Sequence, residues 1–121
     1  MIKLKRIYET AEPNDGYQVL VDRLWPRDVR KSDAKLDGWL RDIAPSTGLR
    51  KWFEHDPKKW PEFRRRYRAE LNTKMHLLQK LIADAADRDV TLVYASREQQ
   101  YNNVTVLREV IDGLLAHENH A

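Results

Sequence analysis

Cysteine is absent from the 121 residues. That excludes disulfides, thiolate metal sites and every mechanism with a cysteine nucleophile. No run of about 18 apolar residues occurs, so the sequence predicts no membrane span. The opening MIKLKRIYET alternates like a strand and has no apolar core behind a basic segment, which argues against a signal peptide. The glycine-dependent motifs G-x-G-x-x-G, the Walker loop and G-x-S-x-G are also missing. Nothing therefore marks a dinucleotide site, a nucleoside triphosphate loop or a serine-hydrolase elbow. Repeats, low-complexity tracts and linkers are not found. These absences predict a cytoplasmic protein with no cofactor, no metal and no membrane partner.

What remains is a charged, water-compatible composition, 41% hydrophobic and 34% charged. The length suits one domain spanning 1–121, with a core large enough to fold without staples. The net charge of +3 is unevenly spread: residues 1–72 hold 17 Lys/Arg against 12 Asp/Glu, and residues 73–121 hold 5 against 7. Trp25, Trp39, Trp52 and Trp60 all lie in the basic part. Cations interleaved with aromatics can hold phosphates and stack bases. The plainer reading is that the tryptophans anchor a core while the cations solvate the surface.

Periodicity sets the elements. Ile2–Tyr8 alternates apolar and basic residues, a strand with one wet face. Glu9–Gly16 is a turn cluster. Tyr17–Asp22 is a short apolar, β-rich run and Val90–Ala95 an unbroken apolar run, the pattern of buried strands. Leu36, Trp39, Leu40 and Ile43 fall at i, i+3, i+4 and i+7, which predicts an amphipathic helix stopping before Pro45. Ser46 caps a short helical turn carrying Leu49, Trp52 and Phe53. Asp56-Pro57 then starts a long helix over about 58–86, with Asn72-Thr73 as a break point. Asn102 or Asn103 caps a last helix bearing Val104, Leu107, Ile111 and Leu114, and the HENHA tail should fray. The order predicts an α/β fold: one small domain with a mainly parallel sheet of about three strands flanked by helices.

In open α/β sheets ligands collect beyond the carboxyl ends of strands. Two segments should meet there: Asp22-Arg23-Leu24-Trp25-Pro26-Arg27, and Tyr94-Ala95-Ser96-Arg97 with the cap at Asn102-Asn103. In this reading Asp22 is a polar anchor or base. Arg23, Arg27 and Arg50 hold an anion, helped by backbone N–H groups of the last helix. Trp25 and Trp52 are stacking walls, and Tyr94, Ser96 and Asn102 supply hydrogen bonds. His55, oriented by Asp56, is a candidate general base. Plainer roles compete at each position: Asp22 with Arg23 as an ion pair, Asn102 as an ordinary cap, His55 as a turn residue. His117 and His120 lack a third ligand for a metal. Arg64, Arg65, Arg66 and Arg68 cover successive helix faces, which suits a solvated shell better than groove reading.

The string Val21-Asp22-Arg23-Leu24-Trp25-Pro26-Arg27 resembles the uncharacterised bacterial proteins of domain-of-unknown-function family 488. So do Trp39-Leu40, Ala44-Pro45-Ser46, Leu49-Arg50-Lys51-Trp52-Phe53 and His55-Asp56-Pro57. Phe63, Tyr67, Glu70-Leu71, Thr91-Leu92-Val93-Tyr94-Ala95 and Asn102-Asn103 extend the likeness over nearly the whole chain. The resemblance implies a compact α/β protein and no particular reaction. Two departures stand out. Asp28 follows the W-P-R triplet where relatives often carry Gly, and Tyr94 with Asn102-Asn103 stands where other branches carry Cys. The resulting expectation is a site for an anionic or nucleotide-like small ligand at the strand ends. The alternatives are a nucleic-acid-binding accessory protein using the basic, Trp-rich region 23–68, or a structural interaction domain. Whether any reaction occurs is left open by the residues.

Overall fold

The computed structural model describes residues 2–9, 12–98 and 100–119. Four parallel strands form one sheet in the order β1-β4-β2-β3: β1 (Ile2–Arg6), β2 (Tyr17–Leu20), β3 (Gly38–Trp39) and β4 (Val90–Tyr94). Five helices complete the α/β fold: α1 (Lys31–Ala34), α2 (Thr47–Phe53), α3 (Trp60–Asn72), α4 (Met75–Asp87) and α5 (Asn103–Asn119). The strand count is four, against the expected three.

Register fixes which residues share a face. Leu4, Leu92 and Val19 align across β1, β4 and β2, while Lys5, Val93, Leu20 and Trp39 align on the opposite side. The first row joins Phe63, Tyr67 and Leu71 of α3, Leu78 and Leu81 of α4, and Leu107 and Ile111 of α5 in one buried cluster. Each fully buried side chain of this kind contributes roughly 1.5–3 kcal/mol. Tyr67 keeps its phenol in this core because its hydroxyl donates to the Ile43 carbonyl at 2.7 Å. On the other face, Lys5 meets Asp15 at 2.6 Å, both side chains largely covered.

The expected helix on Leu36, Trp39, Leu40 and Ile43 does not form. Only Lys31–Ala34 is α-helical, and Lys35 at φ 52° ends it. Asp37 N–H then donates to the Gln18 carbonyl and Leu40 N–H to the Leu20 carbonyl, both at 2.8 Å, while the Asp37 carboxylate accepts Gln18 N–H at 2.8 Å. Satisfying the open edge of β2 outweighs the helical spacing. Ile43 ends up on a 3-10 turn, Arg41–Ile43.

The long helix expected over 58–86 is two helices parted at Thr73-Lys74, with a 3-10 turn at Pro57–Lys59 before them. Ser46 caps α2 by accepting Leu49 N–H, and Asp56 caps the 3-10 turn by accepting Lys58 N–H. α5 continues through the expected frayed tail to Asn119. The side chain of His117 and all of His120 lie outside the described residues.

Candidate functional site

A cavity of about 320 Å³ opens at the carboxyl ends of β2 and β4. That volume is at the lower end of the range for small-molecule sites, roughly 300–1,000 Å³. The segment after β2 contributes Asp22 through Arg27, the segment after β4 contributes Ala95 and Ser96, and α5 contributes Asn103. The helical segment between β3 and β4 adds Ala44, Pro45, Arg50, Phe53, His55 and Phe63.

Asp22 joins the two strand ends. Its Oδ2 accepts the Ala95 N–H at 2.9 Å, and the Asn103 side chain hydrogen-bonds it as well. Burial pushes its carboxyl above the usual range, opposed by those two donors and by the charge of Arg50. A carboxylate has about four acceptor positions, so donors remain welcome from the cavity side.

The arginines divide. Arg23 is committed to the backbone: Nε donates to the Pro45 carbonyl and Nη2 to the Ala44 carbonyl, each at 3.1 Å, while Nη1 lies 3.9 Å from Asp42. It ties the segment after β2 to the turn before α2. Arg27 and Arg50 line the cavity with exposed side chains. Among the described residues neither guanidinium makes a hydrogen bond or ion pair.

The walls are apolar. Leu24, Trp25, Pro26, Phe53 and Phe63 face the space, with Phe53 and Phe63 stacked at 4.2 Å between ring centres. Trp25 is held by its indole N–H to the Val29 carbonyl at 2.7 Å and packs edge-on against Trp39 at 5.4 Å. Trp39 in turn donates to the Asp22 carbonyl at 2.7 Å. After the W-P-R triplet Asp28 adopts φ 61°, a left-handed backbone that Asp tolerates better than most residues. Glu54 and His55 are left-handed in succession, at φ 50° and 57°, and the His55 ring packs on Phe53 at 5.7 Å.

Of the residues singled out from sequence, Asp22, Arg23, Trp25, Arg27, Arg50, His55 and Ser96 line this cavity. Trp52, Tyr94 and Asn102 do not. Trp52 lies under Arg66 at 4.4 Å and Lys59 at 5.2 Å. Tyr94 is buried on the helix-covered side near Arg6 and Glu9, and burial raises its phenol. Asn102 is buried as the cap of α5, accepting Val104 N–H at 2.8 Å and Thr105 N–H at 3.3 Å. It thereby occupies helix N–H groups that were expected to face an anion. The Ser96 hydroxyl is engaged with Glu98 N–H at 3.1 Å. The expected site took in the Asn102-Asn103 cap but named Asn102 alone as its hydrogen-bonding group, and it did not include Phe53 and Phe63 as walls. The paired Asn-Asn was the available signal for Asn103, whereas the two phenylalanines read only as core.

The basic run on α3 is internally matched. Arg65 and Arg66 pair with Glu62, at 2.6 and 3.0 Å, and hold its carboxyl down to about 2. Arg64 and Arg68 both meet Glu109. Among the described residues no group of three or more His, Asp or Glu is placed to hold a metal. No helix among them is long and apolar enough to cross a membrane.

Residues 1–121 match the family model described as the inactive DUF488-N3 subclade. The uncharacterized protein YeaO of Escherichia coli K12 is 40% identical over 113 residues, covering 93% of this chain and 98% of that one. The uncharacterized protein Rv3073c of Mycobacterium tuberculosis H37Rv is 39% identical over 114 residues, covering 93% and 94%. The uncharacterized protein Mb3100c of Mycobacterium bovis matches to the same extent. No solved structure matches the chain.

Proposed function

Because the chain belongs to the inactive DUF488-N3 subclade, we propose that it binds a small anionic, nucleotide-like ligand in the β2–β4 cavity without transforming it. One observation carries this reading: a half-buried acceptor, aromatic walls and two uncommitted guanidinium groups converge on a space the size of one small molecule. Asp22 is the polar anchor. Arg27 and Arg50 hold the anionic end, where a planar fork gives bidentate contact. Trp25 supplies a wall. His55 and Ser96 complete the rim, and the subclade's description supports assigning neither His55 nor Asp22 a chemical step. Arg23 positions the loop through Ala44 and Pro45 instead of holding the anion. The cytoplasm, where such ligands are abundant, is the location that goes with this role.

The pairing of the α3 arginines with Glu62 and Glu109 weighs against nucleic acid as the ligand. Calorimetric titration with nucleoside monophosphates tests the proposal. Binding should be lost in Arg50→Ala and Arg27→Ala while their melting temperatures stay near the parent's. Binding that survives both substitutions contradicts it. A short single-stranded oligonucleotide that binds more tightly than the mononucleotide, with a steep salt dependence, overturns it in favour of nucleic acid.

A further inference from the structure

Resting on the ligand site proposed above, we propose that its floor selects guanine: the Asp22 carboxylate accepts the two adjacent N–H donors of a guanine nucleoside monophosphate. The placement of charge gives the orientation. Asp22 is half-buried where it lines the cavity, whereas Arg27 and Arg50 line it with exposed side chains. A ligand spanning both must point donors inward and negative charge outward. A nucleoside 5′-monophosphate has this polarity, with the base at one end and the phosphate at the other.

The chemistry of the floor then chooses among bases. Two protein donors, the Ala95 N–H and the Asn103 amide, take two of the roughly four acceptor positions on Asp22. What remains accepts and does not donate. Guanine carries two donors side by side, the ring N1–H and the exocyclic amine. Adenine and cytosine each place a ring-nitrogen lone pair beside their single amine, so one lone pair would face a carboxylate oxygen. Uracil flanks its N3–H with two carbonyls and meets the same repulsion. The half-buried Trp25 ring offers flat surface for a base, and the volume admits a single nucleotide.

The test is a titration of the folded protein with guanosine, inosine, adenosine and xanthosine monophosphates, followed by calorimetry and by tryptophan fluorescence. Guanosine monophosphate should bind about tenfold or more tightly than the adenosine and inosine compounds, because mismatched or missing donors leave buried acceptors unmet. Asp22→Asn should reverse the preference toward xanthosine monophosphate. There the new amide donates to the C2 carbonyl while its oxygen still accepts N1–H. Equal affinity of the wild-type protein for guanosine and adenosine monophosphates, or for guanosine and inosine monophosphates, overturns base selection and leaves the ligand site standing. No binding of any nucleotide overturns both. The wild-type comparison decides the matter even where Asp22→Asn fails to fold.

Discussion

Asp22 Oδ2 accepts the backbone N–H of Ala95 at 2.9 Å. This bond closes the gap between the carboxyl ends of two neighbouring strands, so the segments that follow them are forced to face one another. The bond has a cost, because the carboxyl is taken out of water to make it.

That cost predicts a pH dependence of stability. Burial raises the Asp22 carboxyl above its ordinary value of 3.8, more than the Ala95 and Asn103 donors and Arg50 lower it. The folded chain therefore keeps this proton to higher pH than the unfolded chain does. Stability from the group is fully present below 3.8 and falls as pH rises through the raised folded value. Asp22→Asn removes the titration. The difference in melting temperature, variant minus parent, should grow more positive from pH 3 to pH 7 in circular-dichroism melts. A difference that is flat or falls across that range contradicts the assignment.

Arg23 and Arg50 line the same cavity yet should behave oppositely on mutation. Arg23→Met leaves the Pro45 carbonyl without its donor and the Ala44 carbonyl with Lys74 Nζ alone, at 3.3 Å, in a buried stretch of backbone. The expected loss is about 1–3 kcal/mol in urea unfolding, the usual consequence of an orphaned acceptor. Arg50→Ala removes an exposed side chain and should stay within about 0.5 kcal/mol of the parent. Comparable losses in the two variants contradict this division between positioning and binding.

The difference between those two arginines was not legible in the sequence, and the reason is physical. β4 announces itself because a strand covered on both faces is mostly apolar, so Val90–Tyr94 could be read directly, and Tyr17–Leu20 follows from its short β-rich run ending in buried Val19 and Leu20. β3 could not. Gly38-Trp39 is a strand only because β2 offers an open edge, and the spacing of Leu36, Trp39, Leu40 and Ile43 satisfies a helix equally well. The site shows the same limit. Its position follows from where strands end, but which of two adjacent residues faces it depends on a rotation of about 100° around a helix. Packing against α3 and the sheet turns Phe53 inward and leaves Trp52 beneath Arg66. Capping likewise buries Asn102 and leaves Asn103 for the cavity.

Two glycines separate backbone necessity from tolerance. Gly16 has φ 67° and ψ −137°, a region almost closed to other residues, and an added Cβ would sit 2.3 Å from the Asp89 carbonyl oxygen. That same oxygen accepts the Tyr17 N–H at 2.9 Å, the bond that starts β2 beside β4. Gly16→Ala must therefore either strain the backbone or push Asp89 away and weaken the central strand pair. A loss of about 3 kcal/mol is expected in urea unfolding. Gly48 is the internal comparison, since it lies in α2 with nothing within 4 Å of an added Cβ. Gly48→Ala should stabilise the fold by about 0.5–1 kcal/mol through helix propensity and reduced chain entropy. A tolerated Gly16→Ala would mean that β2 does not begin against Asp89, and the pairing that brings Asp22 to Ala95 would lose its starting point.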